Sequence, residues 1–164
     1  GEHAVTIAAR LPNVVWRPGD PDDTSRRSIA GWIKHSGLTN IASPHAIDVT
    51  RDGWAKEIEG PLAGVVSINM IHIAPFEAAT GLIAGAGALL QPGGKLFLYG
   101  PFSRNGEHTA PSNAAFDESL KSRDARWGVR DLERDIVPLT EKAGLTLEAV
   151  VAMPANNFSV VFSR

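Results

Sequence analysis

Leu89-Leu90-Gln91-Pro92-Gly93-Gly94-Lys95-Leu96 holds the end of a helix, a turn and the start of a strand within eight residues. Pro92 has no amide to donate into a continuing helix. Gly93 and Gly94 open the backbone to positive φ. Lys95 to Tyr99 then alternates as a strand does. Upstream, Phe76 to Leu90 has a helical apolar pattern despite three glycines, and Gly64 to Met70 is a Val- and Ile-rich run of buried-strand type. Strand, helix and strand in that order form a parallel unit.

Outward from this unit the alternation continues. His3 to Leu11 reads as a short helix stopped by Pro12-Asn13, and Val14-Val15-Trp16 as a short β run ending at Arg17-Pro18-Gly19-Asp20. Thr24 or Ser25 can cap a helix carrying Ile29, Trp32 and Ile33, with Gly37 beyond its end and Asp22 at its entry. His45 to Val49 reads as a strand. Past Pro101, Ser103 to Thr109 is a polar loop, and Asn113 to Lys121 is helical. Asp131 to Ala143 is a helix capped by Asp131, closed by Gly144 and disturbed by Pro138. Thr146 to Met153 and Ser159 to Arg164 are the last strands. The link Pro154-Ala155-Asn156-Asn157 is too short for a crossover, so these two strands must be antiparallel. The expectation is one α/β domain over residues 1–164. Its Rossmann-like sheet is mostly parallel, with a C-terminal antiparallel hairpin and helices on both faces.

Composition narrows the function classes. The 164 residues carry 16 Lys and Arg against 18 Asp and Glu, a net charge of −2, which supplies no basic field for nucleic acid. With 43% apolar and 21% charged residues the chain can form a core. It has no Cys, so disulfides, thiol catalysis and Cys-ligated metals are excluded. The five histidines fall in no metal-ligand spacing. No apolar run is long enough for a membrane span and no signal peptide is visible, so a cytoplasmic protein is expected.

The segment Leu89 to Leu96, following Val65-Val66-Ser67-Ile68-Asn69-Met70-Ile71-His72, resembles the passage into the fifth strand of class I methyltransferases that use S-adenosylmethionine. Six blocks are similar to the uncharacterised methyltransferase-like protein twenty-six family: Gly1 to Val5, Ile68 to Pro75, Leu98 to Phe102, Pro111 to Asp117, Trp127 to Asp131 and Met153 to Asn157. The resemblance spans the chain. It implies methyl transfer from S-adenosylmethionine to a small-molecule or protein acceptor. The alternatives are a cofactor-binding scaffold acting through a partner, or a nicotinamide-dependent oxidoreductase, against which the closing hairpin argues. Gly1 matches the last glycine of the superfamily's cofactor loop, so the first strand is expected upstream of Gly1.

The resemblance assigns site residues, each with a plainer alternative. Gly1 and His3 fall at the cofactor loop. Asp20 accepts from ribose hydroxyls or is a turn residue in Pro18-Gly19-Asp20-Pro21-Asp22. Asp48 accepts from the adenine amine with Val49 offering its backbone amide, or is a solvated strand-end residue. Asn69 and Met70 face the methionine moiety, or Asn69 ties down a loop. His72 is a general base, or a packed structural histidine between Ile71 and Ile73. Tyr99 orients the acceptor or only packs. Phe102, Arg104, Asn113, Trp127 and Arg130 belong to the acceptor pocket. The two arginines clamp an anion or are merely solvated, and Trp127 forms a lid or caps a helix.

Overall fold

The computed structural model describes all residues, 1–164. The chain divides into two compact units, Gly1–Asp48 and Val49–Arg164. No helix is long and apolar enough to cross a membrane.

The first unit holds helices α1 (Glu2–Arg10) and α2 (Asp23–Ser36). Asp22 caps α2: its carboxylate accepts from the Ser25 amide at 2.7 Å, which lowers its pKa. Gly37 closes the helix in the left-handed region, at φ 67°. A two-segment parallel ladder pairs Trp16 and Gly19, from the link between the helices, with Ile41 and His45 respectively, both beyond α2. This shifts the third expected strand: pairing runs up to His45, not from it to Val49. Pro44 interrupts the donors, and residues 46–48 pair with nothing in a ladder. Of the expected β run Val14-Val15-Trp16 only Trp16 pairs, and Val15 is left 65% exposed.

The second unit is a four-stranded sheet of β1 (Leu62–Ile68), β2 (Leu90–Gly100), β3 (Thr146–Met153) and β4 (Asn157–Ser163), in the order β1-β2-β4-β3. β1 and β2 are parallel, with Val65 opposite Leu96 and Ser67 opposite Leu98. Helix α3 (Phe76–Leu89) connects them. β4 is antiparallel to both β2 and β3, which is the expected terminal hairpin. Leu96 faces Phe162 and Leu98 faces Val160 across β2 and β4, and all four are buried. Ala79, Leu82, Ile83 and Ala86 of α3 cover the same core at helical spacing. The Pro92-Gly93-Gly94 turn lies inside β2 as a bulge. Leu62 pairs with Leu90 and Gly64 with Lys95, and Gly93 at φ 78° makes the detour.

Helix α4 spans Pro111–Arg123. The expected helix over 131–143 is broken as Pro138 requires. A π-type turn, Leu132–Ile136, precedes α5 (Val137–Lys142), with Asp131 capping through the Arg134 amide.

The α3 glycines have steric reasons. A Cβ on Gly81 would stand 1.8 Å from the Val49 carbonyl oxygen, and one on Gly85 would stand 2.1 Å from the Trp54 indole. The same indole donates to the Gly81 carbonyl at 3.1 Å. Gly81→Ala should gain roughly 1 kcal/mol of helix propensity. Overpacking against backbone that cannot turn aside costs roughly 1–3 kcal/mol, occasionally more. A net loss of stability is expected by thermal unfolding, and a rise in Tm would contradict the packing described.

Candidate functional site

In the second unit the C-terminal ends of β1 and β2, the start of α4 and the β3–β4 hairpin border an open cleft of about 530 Å³. That is within the range of small-molecule sites. Asn69 enters from β1. Its amide donates to the Tyr99 carbonyl at 2.8 Å, closing the parallel ladder, and its φ of 58° turns the chain into the 3₁₀ turn Met70–His72. Asn tolerates that conformation better than most residues. Pro101 follows β2 on the opposite wall. From α4 come Ser112, Asn113 and Phe116, and from the hairpin Ala155, Asn156 and Asn157.

Side-chain amides tie the hairpin to α4. Asn113 Nδ2 donates to the Asn156 carbonyl at 2.9 Å and to Thr109 Oγ1 at 3.1 Å. Asn156 Nδ2 returns a bond to Ser112 Oγ at 3.1 Å. Asn157 Nδ2 donates to the Pro154 carbonyl at 3.2 Å. These bonds hold a strained loop. Four non-glycine residues have positive φ, and three of them, Asn69, Ala155 and Asn156, line this cleft. For Ala155, at φ 57° and ψ 35°, the cost is about 1–2 kcal/mol. Strain of this kind gathers at functional sites, where the surroundings enforce it.

Several expected site residues lie elsewhere. His72 is fully buried. Its Nδ1 accepts from the Arg130 amide at 3.2 Å, its carbonyl accepts from the Gly128 amide, and its ring meets Phe102 edge-on at 4.9 Å. With Nδ1 accepting, the neutral ring carries its proton on Nε2, which has no partner and packs against Gly100. Burial, then the Arg130 charge, lowers its pKa from 6.5 to about 3. This corrects the general-base expectation: the ring offers no exposed atom and binds protons poorly.

Phe102 is likewise core, fully buried rather than lining an acceptor pocket. Arg130 is 9% exposed, and its guanidinium is occupied by carbonyls: Nε by Ile71 at 2.9 Å, Nη2 by Ala74 at 2.7 Å and by Arg126 at 3.0 Å. The guanidinium cross-ties two loops. Arg104 is paired with Glu133 at 2.6 Å and lies 5.7 Å from the Phe158 ring centre. Trp127 carries Arg123 over its ring at 5.9 Å, and Tyr99 is half-buried in β2; neither lines the cleft. Of the residues expected around the acceptor, only Asn113 does.

Among the residues expected to hold the cofactor, Asn69 lines the cleft and Met70 packs beside it against the core. Val49 is half-buried, with its carbonyl against Gly81. In the first unit, Asp20 ends one ladder segment and Asp48 follows the other by three residues, so both lie past the carboxyl ends of parallel segments. Asp20 accepts from the Asp22 amide at 2.9 Å, and its other lone pairs leave room for hydroxyl donors. Asp48 is exposed. Gly1 starts α1, where a Cβ would strike Trp32 at 2.5 Å, and His3 is exposed.

The chain belongs, over residues 1–164, to the family described as protein of unknown function DUF938. Its fold is shared with methyltransferases of known structure. An O-methyltransferase family protein from Burkholderia thailandensis matches 98% of this chain at TM-score 0.82 and 17% identity. An O-methyltransferase family 2 protein from Planctomyces limnophilus, solved with apigenin, matches 98% at 0.78 and 18%. The S-adenosylmethionine-dependent methyltransferase SibL matches 98% at 0.75 and 20%. The chain spans 46% of the length of each, a little under half.

Proposed function

We propose that this member of the DUF938 family takes part in methyl transfer from S-adenosylmethionine to a small-molecule or protein acceptor. The observation that carries this reading is the strained, amide-tied cleft at the carboxyl ends of β1 and β2, on a fold shared with methyltransferases. The resemblance to the methyltransferase-like protein twenty-six family supports it. When bound, S-adenosylmethionine supplies a methyl group already activated on a sulfonium. The chain's task is then alignment and exclusion of water. Within the first unit, Asp20 and Asp48 would hold ribose and adenine. No residue lining the cleft is a titratable acid or base. That suits chemistry governed by positioning, and equally a cofactor-binding scaffold without turnover. Transfer of tritiated methyl to an acceptor extract separates the two.

Asp20→Ala is expected to weaken binding of S-adenosylhomocysteine by about 1–3 kcal/mol, through loss of a charged hydrogen-bond acceptor. The folded variant, titrated calorimetrically beside the wild type, checks this. Equal affinities would remove Asp20 from the site.

A further inference from the structure

The lining of the cleft carries information on what it accepts. Its side chains include no Lys, Arg, Asp, Glu or His. The polar groups are three carboxamides of the α4–hairpin junction, with Asn69 and Ser112, and the apolar ones include the Phe116 ring. The carboxamides are oriented by their bonds. Asn113, Asn156 and Asn157 each donate through Nδ2 to a protein oxygen. Their Oδ1 atoms therefore retain acceptor capacity. Asn113 is the telling case. It is 4% exposed, it lines the cleft, and both of its side-chain hydrogen bonds are made by Nδ2. A buried carboxamide on the cleft wall, fixed through its nitrogen and with its oxygen's acceptor capacity unspent, is matched by a ligand that brings an O–H or N–H donor. An ionised ligand would have to give up its water here with no counter-charge to meet it.

We infer that the cleft takes an uncharged small molecule bearing a hydroxyl or N–H group, stacked or packed on Phe116, with Asn113 Oδ1 accepting its hydrogen bond; this rests on the methyl-transfer reading, of which it names the acceptor class. In the transfer, the acceptor oxygen forms the new O–CH₃ bond as the S–CH₃ bond breaks. The electron pair stays on sulfur, and the methylated oxygen, now an oxonium, gives up its proton to bulk solvent at the open mouth of the cleft after the bond has formed. Asn113 sets specificity, and removes no proton.

The test uses three probes of one shape: 4-hydroxyacetophenone, neutral with one O–H; 4-methoxyacetophenone, neutral with none; and 4-hydroxybenzoate, an anion. Binding to the full chain is read by ligand-observed NMR, with and without S-adenosylhomocysteine. S-adenosylhomocysteine binding is read separately by calorimetry. The hydroxyl ketone is expected to bind at least about ten-fold more tightly than either other probe. Asn113→Leu should erase that preference. Phe116→Ala, at a residue 37% exposed, should weaken all probes while leaving the fold intact. Equal binding of the three probes, preference for the anion, or no probe binding to a chain that does bind S-adenosylhomocysteine would each overturn the inference. Selective binding of the hydroxyl ketone by a chain with no affinity for S-adenosylhomocysteine would support the cleft's chemistry and sink the methyl-transfer reading instead.

Discussion

Phe102→Ala is expected to destabilise the protein by about 3–5 kcal/mol, the usual cost of truncating a fully buried phenylalanine. The side chain is entirely covered, belongs to the core of the second unit, and meets the His72 ring edge-on at 4.9 Å. Removing it takes away buried apolar area and leaves a void that β2 and the Leu132–Ile136 turn cannot close without moving. For a domain of this size the Tm should fall by roughly ten degrees or more. The residue directly precedes Ser103, whose backbone pairs with Asp131, so little slack is available. Had Phe102 lined an acceptor pocket, its loss would change ligand affinity and barely touch stability. Denaturant unfolding distinguishes the two, and a loss under about 1 kcal/mol would contradict the placement.

His72→Asn should alter the acid limb of the stability curve. In the unfolded chain the ring takes up a proton near pH 6.5, and in the folded protein only near pH 3. Between those values the unfolded state binds more protons. Stability contributed by the neutral ring is therefore complete above pH 6.5 and is lost as pH falls toward 3. The slope approaches about 1.4 kcal/mol per pH unit. An asparagine oxygen can take the place of Nδ1 and accept from the Arg130 amide, without titrating. The variant is expected to be weaker at pH 8, where its contact with Phe102 is gone. Its acid slope should be shallower, and the gap to wild type should narrow by about 2–3 kcal/mol between pH 6.5 and 4.5. Parallel curves from unfolding at each pH would show that the ring does not stay neutral in the folded state.

Much of the fold was legible because its punctuation is local. Pro154 to Asn157 is too short for anything but a hairpin, and Pro138 broke its helix where the missing amide demanded. Gly37 and Gly144 sit in the left-handed region, at φ 67° and 75°. The β2 start was misplaced because a Pro-Gly-Gly string reads as a turn between elements, whereas here it is a bulge within one. The site was harder. All the cleft-lining residues fall within four of the six blocks that resemble a known family, from Ile68, Leu98, Pro111 and Met153 onward. Among them Asn113 and Asn69 were singled out, whereas Phe116, Asn156 and Asn157 were not. Asn and Ser carry no obvious chemistry alone, and their meaning comes from the αL strain and cross-ties that only the folded chain displays. Conversely, His72, Arg104 and Arg130 attract attention as titratable or charged groups. The Arg130 amide that caps His72 Nδ1, the Ile71 carbonyl that holds Arg130 Nε and the Glu133 carboxylate that pairs with Arg104 lie 29 to 59 residues from the groups they meet, which no local pattern reveals.

The most direct test of methyl-transfer competence is calorimetric titration of the full chain with S-adenosylhomocysteine, the product left when the methyl group has gone. Saturable binding at one molecule per chain, weakened by Asp20→Ala in a variant that unfolds at the wild-type temperature, is the expected result. A folded wild-type protein that shows no binding at millimolar ligand would contradict it.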